Sequence, residues 1–321
     1  MVGFVPVNTG TKKGGDMKVT VIGAAGSVGA PAAFYIGVTG LVDELVLIDM
    51  RPNVVQQHAM DMSTAMSERG VKVTASGHED LVGSDVVVNA AGVPQGLVAD
   101  RMEMLPKNVP LVRDVALAIK RYCPDAFVIT ATNPIDPLNY CTWKAGGFDR
   151  RQVVGYSRND STRFREIIAR MKGVATNRVQ ATVVGEHGST QVPLFTSARI
   201  DGAPVPFTEA DKQAVYAEIP TILRRYEELQ SGRTAGWTSA LGLAALTRAV
   251  LQDTGDVFPC SVVLDGEYGQ KGLSLSVPVR LGRGGVQGIE ELGLAPDEQR
   301  NFARTAAAMG AAARAVDDLL S

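Results

Sequence analysis

The sequence predicts an α/β protein: a doubly wound parallel sheet in the first half, then an α+β lobe. Three observations carry that expectation. From Met17 to about residue 155, short apolar runs alternate with helix-length segments, the rhythm of parallel strands joined by crossovers. The first strand-to-helix junction is glycine-rich, reading GAAGSVG from Gly23 to Gly29. Beyond residue 155 the alternation gives way to long amphipathic helices and strand-like runs.

In order, MKVTVIG reads as a strand closed by glycine, SVGAPAAFYIGV as a helix and DELVLIDM as a buried strand. A helix over NVVQQHAMDMSTAM leads to the strands VKVTAS and SDVVVNAAG, then to a helix through VRDVALAIKRY and the strand DAFVITATN. The second half opens with a helix, DSTRFREIIARM, and the strand VQATVVG. A long amphipathic helix near TEADKQAVYAEIPTILRRYEEL and another over WTSALGLAALTRAVL follow. Strands FPCSVVL and LSLSVPVRL precede an Ala-rich closing helix. No linker separates the halves, so two tightly packed lobes with a cleft between them are expected.

Composition narrows the partners. A length of 321 residues suits two lobes. A formal net charge of −2 provides no field for a polyanion, so no nucleic-acid partner is expected. No apolar run approaches the ~20 residues that span a bilayer, and no signal-peptide pattern opens the chain. The expectation is a cytoplasmic protein without a membrane partner. Cys123, Cys141 and Cys260 are scattered and odd in number, which fits neither a disulfide framework nor a metal site. Residues 1–16, polar and glycine-rich, read as a flexible extension, an arm for a partner subunit.

Gly23, Gly26 and Gly29 sit where a dinucleotide-binding turn needs glycines: for the turn itself, for approach of backbone N–H groups to a pyrophosphate, and for close helix packing. Their G-x-x-G-x-x-G spacing is not the usual one, and a purely structural turn is the alternative. Asp49, twenty residues after Gly29 at the end of the second strand, is placed to bond both ribose hydroxyls of adenosine and to repel a 2′-phosphate. NAD is therefore expected over NADP, although Arg51 stands close by. The competing role of Asp49 is to cap the helix that follows.

Of three histidines, His58 and His78 suit structural or solvated positions, whereas His187 ends an apolar strand between Gly185 and Gly188. Asp160 and Arg163, three apart on one helical face, form either an ordinary ion pair or part of a site. Taken together, the ordered set GAAGSVG, LIDM, AAGVPQGLVADRMEMLPKN, TNPID, NDSTRFR and GEHGS resembles the L-lactate/malate dehydrogenase family over nearly all of the chain from Met17. The resemblance implies a Rossmann-type NAD-binding domain (17–157), an α+β catalytic domain (158–321) and reversible hydride transfer between NADH and a 2-oxo acid, without metal. It implies a homodimer or homotetramer.

It also implies roles. His187 is the general acid/base, Asp160 orients and stabilises its imidazolium, and Arg163 clamps the C1 carboxylate bidentately. Asn133 lies by the reacting oxygen and the nicotinamide. Ser27, Val28, Ala91 and Gly92 join the glycines and Asp49 in the cofactor site. Arg101 is carried on a lid that closes over substrate and stabilises charge on the carbonyl oxygen.

Gln95, directly after Pro94, faces the substrate's variable end, where malate-specific members have arginine and lactate-type members glutamine. Enclosing a second carboxylate there unpaired costs about 3 to 5 kcal/mol, a selectivity of roughly 10² to 10⁴ against oxaloacetate. A lactate-like or unusual 2-oxo acid is therefore favoured. The signals are mixed: GAAGSVG and the interval from Gly155 to Asp160 lie nearer the malate branch, GEHGS nearer the lactate branch. Arg158 and Arg233 are extra cations that would bind a second acidic group if the substrate is malate, and Trp237 or Thr238 falls at a pocket-wall position. A catalytically inactive NAD-binding protein is the rival of another class; it would be expected to lack one of the four principal residues.

Overall fold

Parallel strands form where the apolar runs lie, β1 (Lys18–Ile22), β2 (Glu44–Ile48), β3 (Lys72–Ala75), β4 (Val86–Asn89) and β5 (Phe127–Thr130), and a sixth, β6 (Val153–Tyr156), forms where no strand was expected. The computed structural model describes residues 16–93, 101–231 and 234–321, the side chains of Leu223 and Glu227 excepted. Helices α1 (Gly29–Val38), α2 (Pro52–Ala65), α3 (Leu105–Tyr122) and α4 (Ile135–Gly146) lie between these strands. The strand order β3-β2-β1-β4-β5-β6 reverses direction beside β1, which opens a crevice at the carboxyl ends of β1 and β4. Val86, Val87, Val88 and Asn89 are all buried, as expected of a strand covered on both faces.

Helix α4 was not expected. Every residue from Ile135 to Thr142 is buried, the polar Asp136, Asn139 and Thr142 among them, so polar residues do not mark an exposed face. Helix α3 begins earlier than its apolar period suggests, with a proline in its first turn and Pro110 inside it.

The second half comprises α5 (Arg158–Lys172), β7 (Val179–Val184), β8 (Val192–Ile200), β9 (Ala203–Pro204), α6 (Glu209–Glu228), α7 (Gly236–Gln252), β10 (Val257–Asp265), β11 (Lys271–Gly282), β12 (Gly285–Ile289) and α8 (Pro296–Leu320). Only β7, β8 and β9 form a sheet of their own. Strand β10 pairs antiparallel with β6, Cys260 opposite Tyr156 and Ser261 opposite Gly155, so that β10, β11 and β12 extend the first sheet to nine strands. The halves thus share one sheet, a continuity that the expectation of two lobes did not include. Gly155 permits it: a Cβ there would lie 2.6 Å from Ile135 Cγ2 and 2.8 Å from Ser261 Cβ. That close approach seats the start of α4 over the β6–β10 seam.

Candidate active site

At the end of β1, Gly23 adopts φ +82°, and a Cβ on it would lie 2.6 Å from the Ala90 carbonyl carbon and the Ala91 nitrogen. The chain leaving β4 therefore packs directly on the glycine turn. Gly29 is held as tightly, since its Cβ would stand 2.2 Å from the Gly23 oxygen. Gly26, at 3.1 Å from the same oxygen, is less constrained. Helix α1 begins after Val28 with no side-chain cap, which leaves the positive end of its dipole for an anion.

Asp49 reaches back to this turn. Its Oδ2 accepts from the Ala25 N–H at 2.9 Å and its Oδ1 from the Arg51 N–H at 3.0 Å, with Arg51 Nε at 3.3 Å. Helix α2 has Arg51, not Asp49, at its N-cap position. His58, on α2, contacts the Ala24 oxygen at 3.3 Å, a structural role. Gly92 passes beside Thr132, whose hydroxyl donates to the Ala91 oxygen at 2.7 Å.

Buried Asn108 ties the two neighbouring loops together: its Oδ1 accepts from Val93 N–H at 2.8 Å and its Nδ2 donates to the Asn133 oxygen at 2.8 Å. The peptide Asn133–Pro134 is cis. Among the described residues, Asn89 Nδ2, Asn133 Oδ1 and Asn139 Oδ1 are buried without a hydrogen-bond partner, the first two at or just past the ends of β4 and β5. Unpaired buried polar atoms are costly, and a ligand's amide or hydroxyl would satisfy those first two. The uncapped α1, the glycine turn and these two orphan atoms fit a dinucleotide lying along the strand ends.

The residues expected to be catalytic converge in the structure. Gly185, with φ +88°, turns the chain out of β7 against Thr305 and delivers His187. The His187 Nδ1 stands 2.5 Å from Asp160 Oδ2, and both residues are buried. Arg163 Nη1 lies 3.5 Å from the other Asp160 oxygen with a side chain only 15% exposed, enclosed rather than solvated. Arg101 Nη1 donates to the His187 carbonyl oxygen at 2.9 Å. Four residues from three segments of the chain therefore meet in one buried cluster, and Asp160–Arg163 is no surface pair.

Burial pushes the Asp160 carboxyl up, but His187, Arg163 and Arg101 outweigh it and hold the group below its ordinary range. Burial lowers His187; Asp160 opposes that shift, while Arg101 and Arg163 add to it. The unliganded pair is thus carboxylate and neutral imidazole at neutral pH. An incoming anion that screens the two arginines would raise the affinity of His187 for a proton. With Nδ1 committed to Asp160, Nε2 is the nitrogen left to exchange that proton.

Other expected residues fall elsewhere. Gln95 and Arg233 lie outside the described residues. Arg158 stacks over the Phe258 ring, 5.5 Å from its centroid, a contact with β10. Trp237 is 77% exposed, but its neighbour Gly236 meets the Ser27 oxygen so closely that a Cβ would stand 2.0 Å away. The start of α7 is thereby keyed to the glycine turn.

Three site residues were not anticipated as such: Asn108, Asp136 and Glu186. Asp136 follows Asn133 within TNPID, and its Oδ2 accepts from the His187 N–H at 2.7 Å. Glu186 precedes His187 in GEHGS, and its Oε2 accepts from the Thr190 N–H and hydroxyl at 3.0 and 2.5 Å. For Asp136 and Glu186 the visible signal was an acid inside each motif, and Asp136 went unread because its partner His187 lies 51 residues along the chain.

Residues 17–155 match the lactate/malate dehydrogenase NAD binding domain, and residues 158–317 the lactate/malate dehydrogenase alpha/beta C-terminal domain. The chain is 37% identical to a malate dehydrogenase of Natronomonas pharaonis over 85% of this chain and 91% of that one. Its fold is similar to that of a lactate dehydrogenase of Cryptosporidium parvum complexed with lactic acid and nicotinamide adenine dinucleotide, with a TM-score of 0.89, 31% identity, and coverage of 95% and 99% of the two chains. A malate dehydrogenase of the same organism is nearly as similar, with a TM-score of 0.88, 30% identity, and coverage of 94% and 99%. With both domains matched and the paired histidine and arginines in place, the chain belongs to the lactate/malate dehydrogenase family of NAD-dependent 2-hydroxy-acid dehydrogenases.

Proposed function

We propose that the protein interconverts a 2-oxo acid and its L-2-hydroxy acid, with His187 as the general acid/base. The buried 2.5 Å contact between His187 Nδ1 and Asp160 carries this reading. In reduction, Nε2 donates a proton to the substrate oxygen while Asp160 stabilises the imidazolium beforehand. Arg163 holds the C1 carboxylate, and Arg101 stabilises negative charge on the oxygen as it develops. NAD, when bound, supplies or accepts the hydride. Gly23, Gly26, Ser27, Val28, Gly29, Asp49, Ala91, Gly92 and Asn133 would hold it. The cofactor and catalytic domains divide at residues 157 and 158, and the protein works in the cytoplasm as a homodimer or homotetramer.

We further propose that Gln95 directs the site to a 2-oxo acid without a second carboxylate, such as pyruvate or a bulkier analogue. Malate is the second reading, favoured by the names of relatives such as that of Natronomonas pharaonis. Under that reading another arginine, Arg158 or Arg233, takes the second carboxylate. The Phe258 stacking of Arg158 makes Arg233 the better candidate. A panel of NADH oxidation rates with pyruvate, oxaloacetate and bulkier 2-oxo acids decides: a strong preference for oxaloacetate overturns the reading of Gln95. Loss of that preference in Arg233→Ala would assign the second carboxylate.

A further inference from the structure

Asp136 is fully enclosed at the first turn of α4, yet it touches neither the glycine turn nor the Asp160–Arg163 pair. Its two oxygens are both used. Oδ2 accepts from the main-chain N–H of His187 at 2.7 Å, and Oδ1 accepts from the Ser261 hydroxyl of β10 at 2.5 Å. Ser261 in turn contacts Ser274 of β11 at 2.9 Å, and Asn139, one turn along α4, donates to both the Ser261 carbonyl and the Ser274 hydroxyl. This chain of buried polar groups runs from the middle of the shared sheet to the backbone of the histidine and ends there.

We infer that Asp136 is a positioning residue for His187: its carboxylate grips the histidine's main chain from behind while Asp160 grips the ring, so the imidazole is fixed at two points. The inference rests on the reading of His187 as the acid/base group. A main-chain hydrogen bond to a carboxylate is roughly twice as strong as one to a neutral acceptor, so the grip depends on the charge of Asp136 as well as its shape. Arg101, on the opposite side, holds the His187 carbonyl.

The surroundings make that charge conditional. The charged groups acting near Asp136 are Glu186 beside His187, Asp160 on α5 and Arg101 before α3, while β10 and β11 present only the neutral hydroxyls of Ser261 and Ser274. Burial first, then Glu186 and Asp160, raise the acid to about 7, against the hydrogen bonds from Ser261 and His187. Asp160, held low by its cationic neighbours, does not titrate in that range. Oxo-acid reduction needs His187 protonated, which acid favours, and Asp136 ionised, which acid removes. A fall in rate as the pH drops through about 7 therefore belongs to Asp136.

The test is the single-turnover reduction of pyruvate and oxaloacetate by NADH across the pH range, for the wild-type protein, Asp136→Asn and Ser261→Ala. NADH binding, followed by its fluorescence, reports folding. Asn keeps the size and can still accept from His187. The expected result is a rate in Asp136→Asn about tenfold lower at neutral pH, equal to the acid plateau of the wild type, with the acid limb gone and NADH binding retained. Ser261→Ala removes a donor that favours the charged form, so its limb moves to higher pH. An active wild type with no acid limb, or with Asp136→Asn matching it in rate and profile, overturns the role of Asp136 alone. If Asp136→Asn fails to bind NADH, Ser261→Ala decides: a limb that moves up supports the inference, and one that stays overturns it. A wild type that reduces neither acid, nor any bulkier 2-oxo acid, sinks the reading of His187 and this inference with it.

Discussion

Replacing Asp160 with asparagine isolates the charge that His187 leans on. The carboxylate is 5% exposed and meets Nδ1 at 2.5 Å, so the pair is barely screened by solvent. With charge centres about 4 Å apart and an effective dielectric of about 20, their attraction is on the order of 4 kcal/mol. Asparagine returns about 1 kcal/mol as a neutral hydrogen bond. The remaining ~3 kcal/mol is about two tenfold steps in the proton affinity of His187. Arg101 and Arg163 already lower that affinity, and without Asp160 nothing of comparable strength opposes them. In Asp160→Asn, kcat/KM for oxo-acid reduction at neutral pH should therefore fall about 100-fold. The alkaline loss of rate, which reports deprotonation of His187, should begin about two pH units lower. Steady-state NADH oxidation measured over a pH series, with NADH affinity as control, reads both effects. A reduced rate with an unmoved limb would show that Asp160 supports only the fold, and an unchanged rate would refute the pairing altogether.

Other perturbations separate the remaining parts. Arg163→Lys keeps the charge but loses the planar fork, so KM for the oxo acid should rise about 10- to 100-fold with NADH affinity unchanged; an unaltered KM would place the carboxylate elsewhere. Gln95→Arg should raise oxaloacetate reduction relative to pyruvate by roughly 10² to 10⁴, measured as the ratio of kcat/KM values, and no gain would refute the role of residue 95. Asp49→Ser removes the charge that rejects a 2′-phosphate, so NADPH should gain at least about tenfold on NADH in the same ratio. In Gly29→Ala the new methyl meets the Gly23 oxygen at 2.2 Å; a loss of about 1 to 3 kcal/mol in chemical denaturation and weaker NADH binding are expected.

Much of the cofactor site was legible along the chain. Gly29 is demanded by a contact within one β-α unit and Asp49 sits at the end of the very next strand, whereas the contact that demands Gly23 comes from the chain leaving β4. The four residues proposed for catalysis were legible only as a set. Alone, Asp160 and Arg163 read as an ordinary helical ion pair, and their burial beside His187 is what removes that reading. Trp237, which the sequence offers with Thr238 as a pocket-wall residue, is exposed beside the glycine that meets the Ser27 oxygen. Helix α4 escaped because its polar Asp136, Asn139 and Thr142 are buried with the apolar residues, so polarity along the chain does not mark its exposed side.

By itself the sequence carried most of the alternation of strands and helices, the glycine turn and the candidates for the reacting groups. These depend on local backbone freedom, on patterns with a short period, and on side-chain chemistry that does not change with context. Tertiary structure alone decided that β10 joins β6, that Arg101 reaches a carbonyl 86 residues away and that Asp136 stands behind a histidine 51 residues away. Such contacts leave no period in the chain, because they join residues far apart in sequence whose buried polar groups find their partners only once the chain is packed.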